Sequence, residues 1–156
     1  GGCMSAHEIG LIKTLEEGNY NYIDRAKLDP RAGLMAAYDA DVFLSSANAI
    51  TDDGIMVNID GNSNRVSCIA QGPKKVVFIV GINKVCSDLD AAMKRARNVA
   101  APVNAQRFEV KTPCKTTGKC FDCKSPDTIC CQFLITRYSR HTGRIHVILV
   151  NDNLGF

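Results

Sequence analysis

The run Lys75 to Val80, inside KKVVFIV, restricts the fold more than any other stretch of the chain. It has the length of a strand and, from Val76 onward, is continuously apolar, with no polar residue alternating along it. Such a strand needs cover on both faces, which places it in a largely parallel sheet with helices against it. Val42, Phe43 and Leu44 predict a short strand that ends in Ser45, Ser46 and Ala47, and Ile55 to Ile59 predicts another. Two more are expected at Phe133 to Tyr138 and Arg144 to Val150. The turn-like Arg140-His141-Thr142-Gly143 between them suggests an antiparallel pair.

The helices carry their own signals. Ser5 followed by Glu8 is a capping box, and Ile9, Ile12 and Leu15 continue at helical spacing until Gly18, predicting one helix. Asn19 to Leu28 is a connection. Asp29-Pro30 opens a second helix, reaching about Ala40, with proline at its first position. A short helix is expected from Arg65 to Gln71. Ser87-Asp88 caps a long one that aligns Leu89, Met93, Ala96 and Ala100, and Pro102 is expected to end it near Ala101. With 156 residues and 46% hydrophobic content, the chain suits one α/β domain over residues 1–156.

Charge and hydropathy narrow the function. A net charge of +3, with Lys and Arg scattered along the chain, does not suit nucleic acid. No apolar run approaches the roughly 18 residues of a membrane span, and no charged-then-apolar leader precedes the first helix. A cytoplasmic protein is expected. Gly1-Gly2 before a capped helix has the composition of a strand-to-helix turn, which suggests a trimmed fold as against a tag remnant. A trimmed sheet edge there would invite pairing with another copy, a homo-oligomer.

Five of the eight cysteines fall in CKTTGKCFDCKSPDTICC, from Cys114 to Cys131. The segment at 112–131 holds Lys, Gly, Ser, Pro and Asp with little apolar material, so sulfur bound to something is the economical way to order it. Cys68 and Cys86 have apolar, core-like surroundings, as reduced cysteines do. In a reducing compartment the clustered thiols are candidate metal ligands rather than disulfide partners. Cys114, Cys120, Cys123 and Cys130 are spaced C-x5-C-x2-C-x6-C, and Cys120 and Cys123 form the tight pair that grips one metal atom. Four thiolates, with no His or carboxylate counted among the ligands, select zinc or an iron–sulfur cluster, and the spacing does not match the ferredoxin run. Cys131 is set apart, because adjacent residues at a strand start point opposite ways. Free thiols in an unordered loop are the bland alternative. Catalytic thiol chemistry has little support, since His7, His141 and His146 are far away in sequence, and no residue is assigned a catalytic role.

A second polar region begins at Asn48. Asn48, Thr51, Asp53, Asn58, Asp60, Gly61, Asn64 and Arg65 follow one predicted strand, bracket another and enter a helix. Ligands of open α/β sheets bind beyond the carboxyl ends of strands, so a small anionic ligand is one reading. Turns are built of the same residues, and Asp52-Asp53-Gly54 alone is a hairpin turn. Gly81, Asn83 and Lys84 follow the strongest strand and could join the same site.

SANAITDDG, NIDGNSNRV, GPKKVVFIVGINKV, DLDAAMKRARNVAAPVNA, KTPCKTTGKCFDCKSPDTIC, RIHVILV and the closing DNLGF together resemble the lactate-utilisation (LUD) domain family. The likeness is to its anaerobe-type members with this cysteine loop, and it covers nearly the whole chain. It implies a three-layer α/β/α fold with a mostly parallel sheet, of the ribose-phosphate isomerase and CoA-transferase type. It implies an N-terminal strand and helices ahead of Gly1. It also implies a role beside iron–sulfur and oxidase subunits in oxidising lactate to pyruvate. A sugar-phosphate, CoA or carboxylate binder, or an enzyme of that superfamily, is the alternative. Ala47 to Gly61 is more distantly similar to the sugar-phosphate loop of methylthioribose-phosphate isomerases, but Asn48 stands where those carry an acidic residue. An amide cannot exchange a proton at neutral pH as a carboxylate does.

Overall fold

The computed structural model describes residues 3–156, so the turn expected at Gly1-Gly2 lies outside the described residues. The chain divides into two compact units. One gathers the residues up to Ser46 with Ser67–Asn83 and Ser139–Gly155; the other holds Ala47–Val66, Lys84–Tyr138 and Phe156.

The first unit contains a three-stranded sheet in the order β1-β4-β7, where β1 is Val42–Ser45, β4 Lys75–Gly81 and β7 Ile145–Val150. Both pairings are parallel, with Val42 opposite Lys75 and Val76 opposite Ile145. The apolar run that led the sequence argument is the central strand, and Val76, Phe78 and Val80 are fully buried. Three helices precede the sheet in the chain: α1 (Met4–Glu8), α2 (Leu11–Glu17) and α3 (Pro30–Tyr38). Cys3, Ala6, Ile79 and Leu154 form a core cluster with Leu11, Ile12 and Val150 against it.

The second unit contains a four-stranded sheet in the order β5-β2-β3-β6. Here β2 is Ala49–Thr51, β3 Met56–Asp60, β5 Val85–Cys86 and β6 Gln132–Thr136. β2 runs parallel to β5, whereas β3 is antiparallel to both β2 and β6. Helix α4 (Asn64–Ala70) carries the chain from this unit into the first. A continuous helical stretch follows β5: α5 (Leu89–Arg95), a π-helical turn (Ala96–Ala100) and α6 (Ala101–Ala105). Ala49, Val57, Ile59, Ala92, Ala96 and Ala101 form the core, with Cys86, Met93 and Cys130 packed on it. Helices and mostly parallel strand pairings fit a three-layer α/β/α class, as expected.

Several boundaries differ from expectation for definable reasons. The single N-terminal helix is two, because Gly10 adopts a left-handed conformation (φ 73°) between α1 and α2. Ser5 is not the cap. Cys3 holds the N-cap position, and the Ser5 hydroxyl is buried, 3.3 Å from Ser46 Oγ and 3.4 Å from the Leu154 carbonyl. Asp29 does cap α3, its carboxylate accepting from the Arg31 and Ala32 amides. Pro102 does not end its helix, which continues to Ala105. The helix widens into the π turn just before the proline, a recognised way of absorbing its missing N–H. The expected pair of C-terminal strands is not a pair: β6 joins β3 antiparallel and β7 joins β4 parallel, in different sheets. β6 alternates between half-buried and exposed residues, whereas β7, last in its sheet's strand order, leaves His146 to Leu149 exposed.

Candidate functional site

The cysteine segment is ordered from its two ends. Thr112 and Pro113 start a short helix, α7 (Pro113–Thr117), which places Cys114 in its first turn and stops at Gly118 (φ 71°). The Gln106 side chain ties α6 to α7 by donating to the Lys115 carbonyl at 3.1 Å. The Asp127 carboxylate accepts the Lys111 amide at 3.0 Å, closing the base of the loop. At the far end, the Cys131 amide donates to the Asp60 carbonyl at 2.9 Å, and Cys130 packs on the core beside β6.

Folded this way, the segment surrounds a cavity of about 400 Å³ lined by Cys114, Cys120, Cys123, Cys130 and Cys131 together with Arg97, Thr112, Phe121 and Phe133. All four cysteines singled out by spacing thus border one space. Polar groups approach their sulfurs. Cys120 Sγ accepts from the Asp122 amide at 3.4 Å and lies 3.9 Å from an Arg97 guanidinium nitrogen. Arg97 also pairs with the Asp122 carboxylate at 2.6 Å. Thr112 Oγ1 is 3.3 Å from Cys114 Sγ, and Ser125 Oγ is 4.0 Å from Cys123 Sγ. Burial, reinforced by the neighbouring Cys114, Cys120 and Cys123, pushes the Cys130 thiol up to about 11. Cys114, Cys120 and Cys123 thus lie near enough to Cys130 for their charge to be felt there. Cys131 differs: it is exposed, and its thiol donates to the Thr128 carbonyl at 3.5 Å. None of the eight cysteines forms a disulfide. Among the described residues, no three His, Cys, Asp or Glu side chains are arranged to hold a single metal ion.

The polar region at Asn48 to Arg65 is built differently. Thr51 and Asp53 belong to the hairpin turn joining β2 to β3, with Thr51 Oγ1 donating to the Asp53 carboxylate and accepting the Ile55 amide at 2.7 Å. Asp60, 7% exposed, accepts three backbone amides through its carboxylate: Asn62 at 3.0 Å, Arg65 at 3.0 Å and Val66 at 3.1 Å. It thereby fastens the start of α4, where Asn64 lies. The Arg65 guanidinium donates to Asn58 Oδ1 at 2.7 Å, to the Ile59 carbonyl and, at 3.5 Å, to Asn48 Oδ1. Asn48 Oδ1 also takes the Ile59 amide at 2.8 Å. At Gly61 the chain passes close to Ile129, whose Cα a Cβ there would meet at 3.1 Å. These residues are brought together, largely bonded to one another.

Gly81 and Asn83 belong to the other unit. Asn83 ties down the closing segment, accepting the Leu154 amide at 3.2 Å and donating to the Gly155 carbonyl at 3.3 Å. Lys84 is 2% exposed. His7, His141 and His146 all lie in the first unit, apart in sequence from every cysteine of the loop. Sequence reasoning missed Arg97 and Thr112 as partners of the thiols. Arg97 sits four residues after Met93, beside the apolar stripe, and nothing local ties it to Cys120, 23 residues further on.

Fold and pocket together define an α/β protein with mostly parallel strand pairings and a thiol-lined cavity. No helix among the described residues is long and apolar enough to cross a membrane. The chain matches the family model of the LUD domain over residues 1–150 and belongs to that family, which makes it a lactate-utilisation-associated protein. Comparison with curated proteins finds no match, and comparison with solved structures finds none either.

Proposed function

We propose that this chain is a cytoplasmic accessory subunit of a lactate-oxidising system, with an iron–sulfur or zinc centre held by its cysteine loop beside iron–sulfur and oxidase partner subunits. The supporting observation is that Cys114, Cys120, Cys123 and Cys130 border one cavity. The donor set fits such a centre: four soft sulfurs, and an arginine and a backbone amide directed at Cys120 to offset thiolate charge. Oxidation of lactate to pyruvate releases two electrons and two protons, and the electrons need an acceptor. Iron–sulfur centres relay electrons, whereas zinc has no redox chemistry and would serve structure alone.

The alternative, a small anionic ligand held between Asn48 and Lys84, has weaker support. Asp60, Arg65 and Asn48 are engaged with the protein, and Lys84 is buried. The test is metal analysis of protein purified without oxygen, for the native chain and for a double variant with Ser at Cys120 and Cys123. A metal content of about one centre per chain, lost in the variant, is the expected result. Native protein with neither iron nor zinc overturns the proposal.

A further inference from the structure

Resting on that reading, the geometry points to a polynuclear iron–sulfur cluster rather than a zinc ion, ligated by Cys114, Cys120, Cys123 and Cys130 with Cys131 outside the ligand set. A single zinc ion gathers four sulfurs about 2.3 Å from one point, so they must crowd to within about 4 Å of one another. The described residues contain no such convergence, even of three donors. The sulfurs instead stand around a cavity of about 400 Å³. A cluster occupies volume of its own, and its irons are distributed, so thiolates spread round a cavity can each reach one.

The rest of the wall agrees with that choice. Ala101, Pro102, Phe121, Ile129 and Phe133 line the same space. Bridging sulfides are weak hydrogen-bond acceptors and tolerate apolar walls. Cys131 also borders the cavity, yet its side chain is exposed and its thiol is occupied by the Thr128 carbonyl. Cys130, its neighbour, is turned toward the core.

The experiment uses the full chain purified without oxygen, or reconstituted with ferrous iron and sulfide, measuring iron, zinc and acid-labile sulfide alongside visible absorption. Iron and sulfide in equal amounts, with two or more irons per chain and absorption that bleaches on reduction, are expected. The Cys120→Ser and Cys130→Ser variants should lose at least tenfold of the iron, and Cys131→Ser should keep it within twofold. One zinc per chain without sulfide overturns this inference and leaves the proposed metal-bearing role standing. Neither metal overturns both. A cluster that survives Cys130→Ser but not Cys131→Ser overturns the ligand assignment. The native protein's iron-to-sulfide ratio needs no variant, so the cluster itself is tested even if a serine replacement fails to fold.

Discussion

Around Asp60 the polar side chains face one another. Its carboxylate takes three backbone amides, Arg65 reaches Asn58 and the Ile59 carbonyl, and Asn48 holds the Ile59 amide. The Asn58 side-chain nitrogen and the side-chain oxygen of Gln132, opposite Asp60, are buried without a partner. Around Cys130 the cysteine sulfurs instead border a cavity, and the polar groups next to them, Arg97 and the Asp122 amide at Cys120 and Thr112 at Cys114, stand on the same wall. Both regions carry residue types that suggest binding. The difference lies in whether the protein satisfies those groups itself, because a satisfied group has little left to offer a ligand. On the proposed reading, one cluster holds the fold together and the other is left to hold a metal centre.

The largest expected effect follows from the first half of that comparison. Asp60→Ala removes the acceptor of three amides and the anion beside Arg65, 3.9 Å away, at a site only 7% exposed. A loss of about 3 kcal/mol is expected, read as a lower urea midpoint at unchanged slope. A loss below about 1 kcal/mol would show that the cluster is not structural, and the contrast with the pocket would fail. Next comes Arg65→Lys, which cannot reproduce the forked contacts and should cost about 1–2 kcal/mol. The same protein, heated with sugar phosphates, CoA or lactate, should show no ligand-dependent rise in Tm if this cluster is engaged as described. A rise that Arg65→Lys abolishes would restore the small-ligand alternative.

The two regions were unequally legible in the sequence. The central strand, the Asp29 and Asp88 helix caps and the four-cysteine set depend on local pattern, and local pattern located them. The two-residue strand Val85–Cys86 and the three-residue Ala49–Thr51 are too short for any period to show. They exist because a neighbouring strand supplies their hydrogen bonds. The same holds for β6 and β7, whose partners are chosen by contacts remote in sequence. Asp60 and Arg65 were visible as polar residues near a helix start. Nothing in the sequence said that Asp60 would be engaged by backbone amides and Arg65 by Asn58, Asn48 and the Ile59 carbonyl.

Glycines in each region give a matched, smaller test. Gly54, in the hairpin turn at Thr51, and Gly118, at the end of α7, have φ of +93° and +71°, and a Cβ at either would meet nothing within 4 Å. Replacement by Ala therefore costs backbone strain alone, about 1 kcal/mol at each. The consequences should differ. Gly54→Ala should lower the global urea midpoint. Gly118→Ala should chiefly loosen the cysteine loop, seen as faster amide exchange from 113 to 124. Equal, global effects would mean that loop and core melt as one.

The smallest change in stability should accompany a large change in the pocket. Arg97 pairs with an Asp122 side chain that is 83% exposed, and such pairs contribute about 0.5 kcal/mol or less. Arg97→Ala should thus leave the metal-free midpoint nearly unmoved. The same guanidinium lies 3.9 Å from Cys120 Sγ, close enough to donate to that sulfur when it ligates a metal. Groups that support metal ligands from behind typically contribute 10–100-fold in affinity. A drop of about tenfold in metal affinity, partly restored by Arg97→Lys, is expected from competition with a chelator. If Arg97→Ala instead costs several kcal/mol without the metal, the arginine belongs to the architecture, and the pocket resembles the Asp60 cluster after all.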